Sequence, residues 1–389
     1  MNKQKICIIG GGLTGLITAV ALSKLNFEID LVTKSFNQIK KSCRTTAISH
    51  ENHIFIKKLK YFNNPENNFW PCLKMKLYKD EKNKLLEIFE INEIDTKNKK
   101  VFYMIENSKL IKDLNKKILK TKSIKVIKKN KVSEIININL LKGFKFEKEK
   151  SSKYNLIIIC TGNNPLLTKN FVDDKIYKNN YGESAITIIL RHNYLKNNIA
   201  RQLFLNEGIL AFLPISNNKT SVVWSVKKKF IENNNNIIIK KKIKSYAKNF
   251  FRNIVFISNF EKKELNLLIR SKYHSERVLL FGDAIHLVHP LAGQGTNMMI
   301  RDLNVLTEIL KNKMHLGLDI GSDEVLSEFT NMTKSKNFAY AFGIDFIRKS
   351  FKFEKKSLKN IRDKIMMEIN KKNIIKNIVY NVANKGLKL

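Results

Sequence analysis

The sequence predicts an α/β fold: a Rossmann-like dinucleotide-binding domain interrupted by an antiparallel β-sheet lobe and followed by a helical C-terminus. Three observations predict it. Residues 5–32 run strand, glycine turn, helix, strand, in the order a dinucleotide fingerprint requires. Residues 277–310 bring a second strand, glycine-bearing loop and helix start much later in the chain. Between them, after Tyr181, short runs with period-two alternation and polar turns replace the α/β pattern. The boundaries that follow are 1–72, 96–175 and 270–333 for the dinucleotide domain, 73–95 and 176–269 for the antiparallel lobe, and 334–389 for a basic helical region.

Lys5–Ile9 is a β-branched run that enters Gly10-Gly11-Gly12-Leu13-Thr14-Gly15. Gly10 permits the tight turn, Gly12 lets a pyrophosphate approach the backbone, and Gly15 lets helix and strand pack closely. Leu13 and Thr14 complete this cofactor-binding turn. The next strand, Phe27–Val32, ends at Thr33 and Lys34, where the fingerprint asks for an acid to hold ribose hydroxyls. Thr33 still offers one hydrogen bond there.

Arg44 to Ser49 opens the next helix, with Arg44 either meeting a phosphate or flavin edge or standing on the surface. Residues 73–92 alternate in the strand manner, Val101–Leu119 reads as a helix, and Lys125–Ile136 as a strand pair. Tyr154–Cys160 is a buried strand ending in Thr161-Gly162. In the second lobe the strands are Ala185–Leu190, Arg201–Leu205, Ile209–Leu213 and Thr220–Val226, followed by a helix over Ile237–Phe251 and a strand at Ile254–Ile257. Phe204, Phe212 and Trp224 stand at strand spacing, which suits plain core or the wall of a substrate pocket.

Arg277–Phe281 then looks like a buried parallel strand leaving its sheet at Gly282-Asp283. The loop after it holds Pro290, Gly293, Gln294 and Gly295, and a helix follows Asn297 with Met299, Leu303, Leu306 and Leu310 on one face. Glycines before a helix let the backbone approach a flat ligand, and the first-turn amides stabilise negative charge arising on it. A reduced flavin is one such ligand. His286 and His289 lie three apart, but metal sites need three or four ligands and only Asp283 stands near. Loop histidines packed beside a cofactor are the better reading, so no metal is expected.

The formal charge of +38 implies attraction to polyanions, such as an anionic membrane surface. The lysines are spread along the chain with abundant Asn and Ile, the mark of a compositional bias, and no nucleic-acid motif accompanies them; no specific nucleic-acid partner is expected. Four cysteines without a CxxC fit a reducing compartment. No apolar run approaches the roughly 18 residues of a membrane span, and the chain passes straight into a strand, unlike a signal peptide. Near the C-terminus Ile374, Ile375, Ile378, Val379 and Val382 form a stripe beside Lys371, Lys372 and Lys376. Such a helix either docks on its own protein or lies on anionic lipid.

Together these pieces resemble the class A flavoprotein monooxygenases, most closely the ubiquinone-biosynthesis hydroxylases. The resemblance runs nearly end to end and is most specific in ILAFLPI followed by VVWS, and in GDAIHLVHPLAGQGTN. It implies FAD as cofactor and NAD(P)H as co-substrate. It also implies that Gly282-Asp283 meets the flavin ribityl chain and that Pro290–Asn297 lies along the isoalloxazine ring. The implied activity is aromatic-ring hydroxylation with O2 through a flavin C4a-hydroperoxide, on a membrane-resident prenylated phenol of ubiquinone biosynthesis. No catalytic side chain is assigned, since the flavin carries the chemistry. The implied setting is cytoplasmic, peripheral on the inner face of the membrane, with a quinone-biosynthesis enzyme complex as partner. Two departures stand against the family pattern: Thr33 in place of the ribose acid, and Cys160-Thr161-Gly162-Asn163 in place of an Asp-Gly signature. They motivate a rival reading, a scaffold with weakened FAD binding; a hydroxylase of another aromatic substrate is the other.

Overall fold

Six strands place the glycine turn at the centre of a sheet in the computed structural model, which describes residues 3–386 apart from 37–41, 61–67, 82–83, 93–98, 129–131, 147–148, 151, 163, 165–166, 169–170, 172–173, 352–363 and 367. The order is His274–Ser275, Val278–Leu280, Leu156–Ile159, Lys5–Ile9, Glu28–Thr33, Ile124–Lys128. All neighbours are parallel except the first pair. Covered on both faces, the inner strands read as unbroken runs: KICII, EIDLVT and LIII are almost wholly buried. Helices Leu13–Leu22, Asn107–Leu119 and Gln294–His315 share one core with them.

The second lobe is a nine-stranded sheet. Its order is His286–Leu287, Glu261–Arg270, Ile176–Arg191, Lys219–Lys227, Gly208–Ser216, Ile199–Leu205, Lys74–Glu81, Lys84–Ile91, with Val255–Phe256 paired to Ile176–Arg191. One face carries Ile186, Ile188, Leu203, Phe212 and Trp224 against helix Asn236–Ala247. The other looks toward the dinucleotide domain. A small sheet of Thr45–Ser49, Phe102–Glu106 and Trp70–Cys72 joins the two lobes.

Several elements differ from the sequence reading. Thr45–Ser49 is a strand, not the opening of a helix; its TTAIS run pairs with Phe102–Glu106, and the helix begins at His50. By the same pairing the expected helix Val101–Leu119 starts only at Asn107, because FYMI, with two aromatic residues and a β-branched Ile, completes that sheet. The strand Ala185–Leu190 extends back to Ile176 through a bulge at residues 180–183, where Gly182 has φ +62°. Glu261–Arg270 is a strand that periodicity missed: its first half is charged and largely exposed, and burial begins only at Leu265. Beyond the helix Asp323–Ser350, the helix Asn373–Lys385 docks through Lys376, Tyr380 and Asn384. Ile374, Ile378 and Val379 of the expected stripe are exposed.

Candidate active site

The glycine turn and the distant 282–296 segment meet on one cavity of about 850 Å³, at the upper end of the range for small-molecule sites. Its dinucleotide-domain wall is Gly10–Thr14, Ser35 and Thr161-Gly162, with Asn107, Ser108, Ile111 and Asn115 from one face of a helix. Asp283, Pro290, Gly293, Gly295 and Thr296 close one side. Its floor is the inner face of the nine-stranded sheet, where Ala185, Thr187, Ala200, Gln202, Ala211, Val223 and Ser225 alternate with the residues packed on the opposite helix.

The glycines are dictated by close approach. Gly10 takes φ +130°, and a Cβ there would lie 2.8 Å from the Cys160 carbonyl oxygen. A Cβ on Gly15 would stand 1.8 Å from the Gly10 carbonyl oxygen, so Gly15 is a packing residue buried behind the turn. A Cβ on Gly12 would meet nothing within 4 Å. That position is open to the cavity, and the helix it caps presents its first amides there. At the second helix start, Gly293 is left-handed at φ +66° and sits against Ala47.

Buried polar clamps hold the 282–293 segment. Arg270, 2% exposed, pairs with Asp174 and donates from Nε to the Ala284 carbonyl at 2.8 Å. This fixes the turn that carries Asp283, whose exposed carboxylate hydrogen-bonds no protein group among the described residues. His286 Nε2 lies 2.8 Å from Asp302, which also accepts from Asn337 at 3.0 Å. His289 sits 3.4 Å from Glu183, and Glu183 lies 3.7 Å from Arg348. Burial, with the Arg348 cation near, pushes His289 down to about 3, so it is neutral at physiological pH. His286 is thus held by the Asp302 carboxylate, whereas His289 packs as a neutral ring beside Glu183 and Tyr181, neither of its ring nitrogens hydrogen-bonded among the described residues.

Of the residues singled out from sequence, Gly10, Gly12, Leu13, Thr14, Arg44, Asp283, Pro290, Gly293 and Gly295 line the cavity; Gly15, Thr33, Gly282, Gln294 and Asn297 do not. The Thr33 hydroxyl donates to the Ser35 carbonyl at 3.0 Å and so turns to its own chain. Gly282, at φ +64°, packs on Thr14. Asn297 is a staple: its side chain accepts from the Ser49 amide at 2.9 Å and donates to the Ala47 carbonyl at 3.0 Å, joining the helix start to strand Thr45–Ser49. Arg44 lies on the wall with Nε 3.2 Å from Glu261. Phe212 and Trp224 belong to the core on the far side of the sheet, and Phe204 stacks on Phe351 with ring centroids 3.4 Å apart. Asn163 lies outside the described residues.

Sequence reasoning missed Ser35, Asn107, Ser108, Asn115, Thr187, Gln202 and Ser225. Asn107, Ile111 and Asn115 recur at helical spacing, a signal hidden while the helix was placed too early. Gln202 is a polar residue at an inward strand position, legible only once the sheet's two faces are assigned.

The cavity fits FAD: a Cβ-free turn for a pyrophosphate at one helix start, an unpartnered carboxylate between, and a second helix start beside an apolar floor. Comparison with known proteins agrees. Residues 192–315 match the model of an FAD binding domain family. The ubiquinone biosynthesis monooxygenase COQ6 of Dictyostelium discoideum is 23% identical, over 98% of this chain and 91% of that protein. The 3-demethoxyubiquinol 3-hydroxylase of Escherichia coli is 27% identical, over 50% of this chain and 51% of its own. In fold, p-nitrophenol 4-monooxygenase PnpA from Pseudomonas putida DLL-E4 superposes with a TM-score of 0.80 at 13% identity, covering 100% of this chain and 99% of that one. Klebsiella pneumoniae HpxO complexed with FAD and uric acid superposes with 0.76 at 14% identity, over 98% and 97%. The chain is thus similar to the FAD-dependent monooxygenases, the ubiquinone-biosynthesis hydroxylases among them, and is an FAD-dependent monooxygenase.

Proposed function

We propose that this enzyme hydroxylates a membrane-resident prenylated phenol in quinone biosynthesis, working in the cytoplasm against the inner face of the membrane. The observation that carries the reading is the cavity shared by the glycine turn and the inner face of the large sheet, where Ala185, Ala200, Ala211 and Val223 offer an apolar surface. The amides of Gly12–Thr14 hold a pyrophosphate at a helix start, with Ser35 and Asn115 toward the adenosine side. Asp283, on the cavity wall, would accept from a ribityl hydroxyl. With FAD bound, the first amides and dipole of the helix that starts after Gly293 would stabilise negative charge on the reduced ring. When bound, FAD supplies the chemistry that joins NAD(P)H oxidation to O2 activation. The chain's part is to seat the phenol on Ala211 and Val223 and to exclude water with Val288 and Leu291.

The membrane part of the proposal is supported by helix Asn373–Lys385, which exposes Ile374, Ile378 and Val379 beside Lys371, Lys372 and Lys385. Among the described residues no helix is long and apolar enough to cross a bilayer. A quinone-synthesis complex on that surface is part of the same proposal.

The test is lipid analysis of a strain lacking the chain, together with purified, FAD-loaded protein. Accumulation of a prenylated phenol one hydroxyl short of the product, and faster NAD(P)H oxidation when that phenol is supplied, are the expected results. Normal quinone with no accumulated precursor points instead to a soluble aromatic substrate.

A further inference from the structure

On the floor of the cavity one side chain has its polar atoms in the wrong place for a core residue. Gln202 is only 6% exposed, yet its carboxamide meets no hydrogen-bond partner among the described residues. Its neighbours on the same face of the strand, Ala200 and Phe204, pack toward Ala47 and Cys72 and toward Val288 and Leu291 respectively. Leu203 and Leu205 take the opposite face with helix Asn236–Ala247. The amide therefore points into the cavity. The amide opens onto the cavity with no protein partner among the described residues, so a ligand or an ordered water completes its hydrogen bonds there.

The sheet register says what kind of ligand. Gln202 pairs with Ala211, Ala211 with Val223, and Val223 with Thr187, one row across four strands. Thr187 is 7% exposed, lines the cavity, and its hydroxyl also lacks a hydrogen-bond partner among the described residues. At about 4.8 Å per strand the two backbones stand roughly 14 Å apart. Between them lie only the Ala211 methyl and the Val223 side chain. A flat apolar step with one hydrogen-bonding group at each end matches an aromatic ring with oxygen on two opposite edges. A carboxamide both donates and accepts, so it serves a hydroxyl or an ether oxygen equally.

We infer that Gln202 is a specificity-determining residue that hydrogen-bonds one ring oxygen of the aromatic substrate while Thr187 takes the opposite one, so that doubly oxygenated rings are preferred over singly oxygenated ones. The inference rests on the hydroxylase reading and deepens it.

The probes are 4-methoxyphenol, phenol and 4-methylanisole, titrated into the FAD-loaded full chain while the flavin absorbance is followed. Wild type is expected to bind 4-methoxyphenol at least tenfold more tightly than either singly oxygenated probe. Gln202→Met, close in volume, is expected to lose most of that preference while holding FAD at the wild-type ratio, with KM for 4-methoxyphenol rising more than kcat falls. Gln202→Glu, which keeps an acceptor and loses the donor, gives an intermediate preference and serves if the Met variant does not fold. Equal binding of the three probes by wild type, or an undiminished preference in Gln202→Met, overturns the inference even if the enzyme turns over prenylated phenols. A Gln202-dependent preference without any hydroxylated product supports the contact and overturns the hydroxylase reading instead.

Discussion

The Glu183 carboxylate lies 3.7 Å from the Arg348 guanidinium, with both side chains below 10% exposed. The pair fastens helix Asp323–Ser350 to the long strand Ile176–Arg191, beside the loop that carries Pro290 and Gly293. Arg348 also stands over the Tyr181 ring at 3.9 Å and 3.6 Å from Asp345. Removing one member of such a buried set leaves charge without compensation, at a cost of about 3–5 kcal/mol. Arg348→Met is expected to lose that much stability in urea unfolding, and the double variant with Glu183→Gln to recover part of it.

His289 gives the same region a pH dependence. It is held near 3 by burial and by Arg348, against about 6.5 when unfolded. The unfolded chain therefore binds the extra proton between those values, and stability falls as pH drops below about 6.5. At pH 5 the loss from this group is about 2 kcal/mol. His289→Gln is expected to flatten the slope of unfolding free energy between pH 6.5 and 5; an unchanged slope refutes the assignment.

Two glycines of the turn separate folding from cofactor binding. Gly15→Ala drives a methyl into the Gly10 carbonyl and is expected to cost more than about 4 kcal/mol, visible as a lost thermal transition in the apo-protein. Gly12→Ala meets no protein atom, so the apo-protein melts as wild type. Its methyl occupies the cofactor's path, and FAD affinity falls by about tenfold or more, near 1.4 kcal/mol, in a fluorescence-quench titration.

The exposed face of helix Asn373–Lys385 is tested by Ile374→Asp with Ile378→Asp. Full burial of an isoleucine side chain is worth roughly 1.5–3 kcal/mol, and partial insertion of two roughly 2 kcal/mol in all. Sedimentation with anionic vesicles is expected to drop about thirtyfold, with the thermal midpoint unchanged because neither side chain is packed. Equal sedimentation of variant and wild type refutes membrane contact through this face.

The inner parallel strands were legible because burial on both faces writes them as plain apolar runs, as in LIII at Leu156–Ile159. The glycine turn was legible because steric need leaves no other residue type. Strand Glu261–Arg270 was not, since an outer half rich in Lys and Glu hides a half-strand period. Helix placement at Asn107 failed for a related reason: FYMI fits both a helix and a strand until its partner Thr45–Ser49 is known. Of the candidate site, main-chain contacts could be read from motifs, whereas Gln202 and Thr187 owe their roles to register across four strands. Such pairing is a long-range property. Asn297 shows the converse, a motif residue whose side chain serves the scaffold.

Asn384 closes on the opposite end of the chain: its carbonyl accepts from Ser49 Oγ at 3.1 Å and its side chain from the Glu51 amide at 3.0 Å. The strand it braces, Thr45–Ser49, supplies Thr45, Thr46 and Ala47 to the cavity wall. One wall of the cofactor cavity is therefore braced by a hydrogen bond that spans 335 positions of the chain.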